Sequence, residues 1–143
     1  MRVDFYRAEG PPERIVPQLA RRVIEGGARL LVVAGDGELR ARVSEALWAV
    51  EGAFLANGEA GGAHDARQPI LIAPDPVADN GARMVVLADG VWREVPEGTE
   101  RVFLIFGEDT IGAARMLWKT LGADEAIERN FWKQEGGRWV RAA

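Results

Sequence analysis

The sequence predicts an α/β fold: a three-layer sandwich with helices packed on a mainly parallel sheet. Two observations carry that reading. Four short runs, Leu30-Leu31-Val32-Val33, Ile70-Leu71-Ile72, Met84-Val85-Val86-Leu87 and Val102-Phe103-Leu104-Ile105-Phe106, contain no polar residue. That is the pattern of strands buried on both faces. Stretches with apolar residues at helical spacing alternate with these runs, and such alternation builds parallel sheets. The 143 residues read as one α/β domain spanning 1–143, long enough for a substantial core.

In order, Val3 to Tyr6 reads as a short strand, broken by Glu9-Gly10-Pro11-Pro12. Ile15, Leu19 and Val23 follow at helical spacing, and Gly26-Gly27 ends that helix. Pro17 must then lie in the first turn, where its missing N–H does little harm. After the Leu30 to Val33 strand, Asp36 is placed to cap a helix whose apolar stripe is Leu39, Val43, Ala46, Leu47 and Val50. From Glu51 to Gln68 the periodicity stops, and the stretch reads as a long Gly-rich loop. Asp89-Gly90 is a turn signal after the Met84 to Leu87 strand. Beyond Phe106, Gly107-Glu108-Asp109 turns the chain into a helix through Ala114 and Leu121. A second helical stretch is expected around Ala126 to Lys133, and Gly136-Gly137 leads to a short tail, Arg138-Trp139-Val140.

Composition excludes several classes of function. The formal charge is −4, against a nucleic-acid binder by charge. The chain has no cysteine, which removes disulfides, thiolate nucleophiles and Cys-based zinc sites and suits a cytoplasmic protein. Met1-Arg2-Val3-Asp4-Phe5-Tyr6 carries charges inside its apolar run, unlike a signal peptide. No apolar run approaches the roughly 20 residues that span a bilayer, so no membrane role is expected.

Candidates for chemistry are few. Gly35-Asp36-Gly37 sits between strand and helix, where phosphate loops occur. It lacks both the third Gly of a dinucleotide fingerprint and the Gly-Lys-Ser/Thr ending of a phosphate loop. A turn with an Asp N-cap explains it. His64 is the only histidine and has no orienting partner nearby in sequence. Glu108-Asp109 follows a strand at the edge where α/β sheets bind ligands, but acids there also complement the positive end of the next helix. No serine lies in a nucleophile elbow. No catalytic residue, metal site or cofactor is expected.

The aromatic residues are more telling. Trp48 points almost opposite to the core stripe of its helix, and Phe54 lies a few residues beyond. Either the long loop folds back over them or a partner covers them. On the last main helix Ile111, Arg115, Trp118 and Lys119 share one face, away from Ala114, Leu117 and Leu121. Two cations around an aromatic and an aliphatic side chain suit an acidic peptide with an aromatic anchor. From spacing alone, a partly buried Trp with two solvated charges on its rim is the favoured reading, since amphipathic side chains commonly line a core edge.

These residues, taken in order, resemble a known family. The features are Asp4-Phe5-Tyr6, Glu45-Ala46-Leu47-Trp48, Phe54-Leu55, Gln68-Pro69-Ile70-Leu71-Ile72 and Asn80 ahead of Met84-Val85-Val86-Leu87. Then come Glu100-Arg101-Val102 with Ile105-Phe106, Ala114-Arg115 with Trp118-Lys119, and a late Trp139. The chain thereby resembles the chi subunit of bacterial DNA polymerase III holoenzyme. The resemblance implies a fold similar to nucleotide-binding domains but without their phosphate-loop motifs. It implies a non-catalytic accessory subunit that joins the clamp-loader assembly, through a psi subunit or another clamp-loader component. It further implies binding to the C-terminal tail of the single-stranded DNA-binding protein.

The family's tail-binding Arg and aromatic-Lys pair match Arg115, Trp118 and Lys119, with Trp where better-known members have Tyr. Phe54 matches a Phe of a second surface, used for psi and for a helicase-like partner. The tail is acidic and ends in Phe with a free carboxylate. Arg115 suits the carboxylate, Lys119 adds charge, and Trp118 with Ile111 offers an apolar wall. Two rival readings remain: a small nucleotide-dependent hydrolase or transferase using Gly35-Asp36-Gly37, and direct binding of single-stranded DNA, which the acidic charge opposes.

Overall fold

The computed structural model describes residues 1–143. Eight strands form one sheet: β1 (Arg2–Arg7), β2 (Leu30–Val33), β3 (Asn57–Glu59), β4 (Ile70–Ala73), β5 (Met84–Leu87), β6 (Arg101–Phe106), β7 (Glu128–Glu135) and β8 (Arg138–Arg141). Their spatial order is β3-β4-β2-β5-β6-β1-β7-β8. Every neighbouring pair is parallel except β7 with β8.

Three helices, α1 (Val16–Glu25), α2 (Gly37–Trp48) and α3 (Ile111–Gly122), cover the sheet. Alternation along each strand divides the core in two. Tyr6, Leu30, Val32, Phe103 and Ile105 pack with α1 and α2. Val3, Phe5, Val85, Leu104 and Phe106 pack with Ala114 and Leu121 of α3. The result is the expected three-layer α/β arrangement.

The local signals act as read. Pro17 sits in the first turn of α1. The Asp36 carboxylate accepts from the Glu38 amide at 3.1 Å and starts α2. Leu39, Val43 and Leu47 are buried from that helix.

Three expectations are corrected. The stretch Ala126 to Lys133 is not a helix: it enters β7, which runs parallel to β1 with Asp4 beside Asn130 and Phe5 beside Phe131. The pair Phe131-Trp132 sends one ring to each core, which a strand does and a helix does not. The tail at Arg138 is strand β8, closed on β7 by a two-residue turn in which Gly136 and Gly137 have φ of 58° and 77°. Both positions need the left-handed region, hence glycine at each. The Glu51 to Gln68 stretch is not all loop. It contributes edge strand β3 against β4, and Ser44 Oγ donates to Asn57 Oδ1 at 2.6 Å to tie that strand to α2.

Buried polar groups pin the strands together. Asp4 is fully buried and takes Arg101 Nε at 2.6 Å, Arg2 Nε at 3.0 Å and the Trp132 indole N–H at 3.1 Å. It therefore joins β6, β1 and β7 through one carboxylate. The Asn80 side chain donates to the carbonyls of Leu30 and Gln68 and accepts from the Ala82 amide, locking the β4–β5 connection. No helix is long and apolar enough to cross a membrane.

Candidate functional site

A cavity of about 610 Å³ opens between α3 and the β6-β1-β7 part of the sheet. Its inner wall is aromatic: Phe5, Phe106 and Phe131 come from three adjacent strands. Phe106 and Phe131 stack with centroids 5.8 Å apart, and Phe5 meets Trp118 edge-on at 5.2 Å. Helix α3 supplies Ile111, Ala114, Arg115, Trp118 and Lys119. The structure thus brings all four helix residues singled out by spacing to one opening. Trp118 is half-buried, while Arg115 and Lys119 are exposed.

Sequence spacing missed the opposite wall. Arg7 at the end of β1 and Lys133 on β7 also line the cavity. Neither had a signal, because the pairing of β7 with β1 brings them there. Lys133 pairs with Glu135 at 3.1 Å, whereas Arg7, Arg115 and Lys119 form no ion pair with any acid. An apolar cavity rimmed by unneutralised cations is chemically suited to an anionic ligand with an aromatic group.

The second surface lies at the end of α2. Trp48 is 52% exposed and Phe54 78% exposed, and their rings lie 5.7 Å apart. The loop does not cover them. The helical-wheel argument for Trp48 holds, and the two rings form one continuous apolar patch.

A third concave region is the crevice at the carboxyl ends of the strands. It holds about 700 Å³ between the β1, β2, β5 and β6 ends. Here Gly35-Asp36-Gly37 forms no free phosphate cradle. The Gly35 amide donates to Asp89 Oδ2 at 3.0 Å, and Arg40 covers the Ala34 and Gly35 carbonyls. Burial works to raise the pKa of Asp89. Hydrogen bonds from Arg93 and from the Gly35 and Val91 amides outweigh it and hold the carboxyl below the ordinary range. An anion of the protein itself thus occupies the turn. Glu9, Asp36, Glu108 and Asp109 add negative charge around it, which repels a phosphate.

Glu108 and Asp109 lie in the first turn leading into α3, where acids complement the positive end of the helix as expected. These residues form a short 3₁₀ turn, and the Thr110 hydroxyl, not a carboxylate, accepts from the Gly107 amide at 2.9 Å. His64 is exposed in the turn before a 3₁₀ segment. No group of three or more His, Cys, Asp or Glu side chains is placed to hold a metal ion.

Comparison with known families decides the lineage. The model of the DNA polymerase III chi subunit family (HolC) matches residues 1–128. The chain belongs to the DNA polymerase III chi subunit family. As a chi-family chain it is an accessory subunit in DNA replication and works with other components of the polymerase III holoenzyme. No curated protein matched the chain. The chi match takes in all of α3 and the Trp48–Phe54 patch; Arg129 and the rest of β7 and β8 lie beyond it.

Proposed function

We propose that this chain links the clamp-loader assembly to the single-stranded DNA-binding protein in the cytoplasm, with no catalytic step, metal or cofactor of its own. The observation that carries the reading is the α3 cavity: three aromatic rings from the sheet beneath a rim of unpaired cations. The partner's acidic C-terminal tail ends in Phe with a free carboxylate. The Phe ring enters between Trp118, Ile111 and the Phe5–Phe106 wall. Arg115 pairs with the carboxylate in bidentate fashion, and Lys119 adds a flexible point charge.

The Trp48–Phe54 patch serves the other side of the link. An exposed aromatic pair, Trp48 at the end of α2 and Phe54 in the segment that follows it, is suited to anchoring a protein partner. Its occupant is psi, another clamp-loader component or a helicase-like protein. The two surfaces draw on different helices, α3 and α2, so one does not compete with the other.

The test is titration of the chain with a synthetic acidic peptide ending in Phe. Binding to the free-carboxylate peptide, weakened by amidation and by Arg115→Ala, is the expected result. Equal binding by Arg115→Ala and wild type, or indifference to amidation, overturns the reading.

A further inference from the structure

We infer that Arg129 is a positioning residue for Trp118, and that Gly122 is glycine to leave it room. The inference rests on the proposed role of Trp118 as a wall of the α3 cavity. Arg129 lies at the start of β7, outside that cavity. Its guanidinium carbon sits 4.3 Å from the centroid of the Trp118 ring. Its Nη1 donates to the Trp118 carbonyl at 2.5 Å. The same side chain therefore grips both the ring and the backbone of one residue.

Each contact has a physical reason. The Trp118 carbonyl lies one turn from the C-terminal end of α3, near the negative end of the helix dipole, and a carbonyl oxygen keeps a second lone pair for a further donor. A cation is favoured there. A planar guanidinium also stacks on an indole as an ammonium does not. Phe5 meets the Trp118 ring edge-on at 5.2 Å. Between Phe5 and Arg129 the ring has little freedom to swing, so a peptide ring meets a preformed wall and does not have to order it.

Gly122 supplies independent geometry. A Cβ built there would lie 2.6 Å from Arg129 Nη1 and 2.8 Å from its Cζ. The guanidinium thus crosses over a bare helix end. The backbone of Gly122 is helical and has no positive φ, so alanine is accepted by the backbone and only Arg129 must move. Alanine in a helix is otherwise stabilising relative to glycine.

That contrast gives a test a merely structural role would not pass. Three variants are compared with wild type: Gly122→Ala, Arg129→Met and Arg129→Lys. Thermal midpoint, the nuclear Overhauser contact between the Trp118 and Phe5 rings in the free protein, and affinity for the acidic Phe-terminated peptide are measured. Gly122→Ala is expected to keep or raise the midpoint while loosening the ring contact and weakening the peptide about fivefold. Arg129→Met should weaken it similarly, and Arg129→Lys should recover only part of the loss. An unchanged ring contact in Gly122→Ala and Arg129→Met overturns the inference. So do full-strength peptide binding in both variants and loss of affinity only in step with the midpoint. A wild-type chain that ignores the peptide, with the ring contact still lost in the variants, overturns the tail reading and leaves the positioning intact.

Discussion

The Trp118 ring stands edge-on to Phe5, with centroids 5.2 Å apart and planes at 74°. A helix residue that spacing groups with exposed cations is thereby anchored on a fully buried strand residue. The aromatic wall of the cavity is built directly onto the sheet behind it. For Trp118, this predicts that replacement by Tyr is nearly silent in tail-peptide binding, because a ring still meets Phe5. Trp118→Ala should lose more than tenfold, through lost burial of about 2 kcal/mol. Isothermal titration with the two variants checks the ordering.

The cationic rim predicts graded losses. Arg115→Ala should cost about 2 kcal/mol of peptide affinity, since it leaves the peptide carboxylate poorly paired. Lys119→Ala should cost less, because a flexible exposed ammonium gains little. Raising the salt should weaken wild type more than Arg115→Ala, because fewer charge contacts remain to be screened in the variant. Titrations at two ionic strengths measure this directly.

At the Trp48–Phe54 patch, Phe54→Ala should leave the thermal midpoint within experimental scatter, since a ring 78% exposed contributes little burial to the fold. It should nevertheless weaken capture of the clamp-loader assembly by the chain. Binding of the acidic tail peptide should stay at the wild-type level. A midpoint drop, or equal loss on both partners, would show that the patch is structural.

Asp89 predicts an acid-side dependence of stability. Its folded pKa lies below the ordinary value of 3.8. The stabilisation is therefore present above that ordinary value and is lost as pH falls through the lower folded one. Asp89→Asn should destabilise the chain by about 1–2 kcal/mol near neutral pH, through the lost Arg93 ion pair and weaker Gly35 contact. The gap between wild type and variant should close as pH drops below about 4. Urea denaturation across that pH range tests the sign.

Asp4→Ala should be the most damaging single change of those considered. It removes the acceptor for Arg101, Arg2 and the Trp132 indole inside the sheet. A loss of about 3 kcal/mol is expected, because Arg101 and the Trp132 N–H are left without their shared acceptor. Chemical denaturation gives the value. Asp4→Asn should be milder, because its amide oxygen still accepts.

Much of this protein is local and therefore legible in sequence. The runs at Leu30, Ile70, Met84 and Val102 are strands because aliphatic residues facing both ways need a cover on both sides. Asp36 caps α2, and Pro17 starts α1, through contacts within a few residues. The outward face of Trp48 and the shared face of Ile111, Arg115, Trp118 and Lys119 follow from helical spacing alone. The strand β7 was not legible. Phe131-Trp132 within a polar stretch fits either a helix or a strand until its partner is known. That partner is β1, at the other end of the chain, whose free edge supplies the hydrogen bonds. The same pairing sets Arg7, Phe131 and Lys133 opposite α3 and stretches Arg129 under Trp118. Helical spacing along α3 sets one wall of the cavity. Only strand pairing across the length of the chain decided the other, because a backbone ladder takes its partner from whatever edge the rest of the fold leaves open.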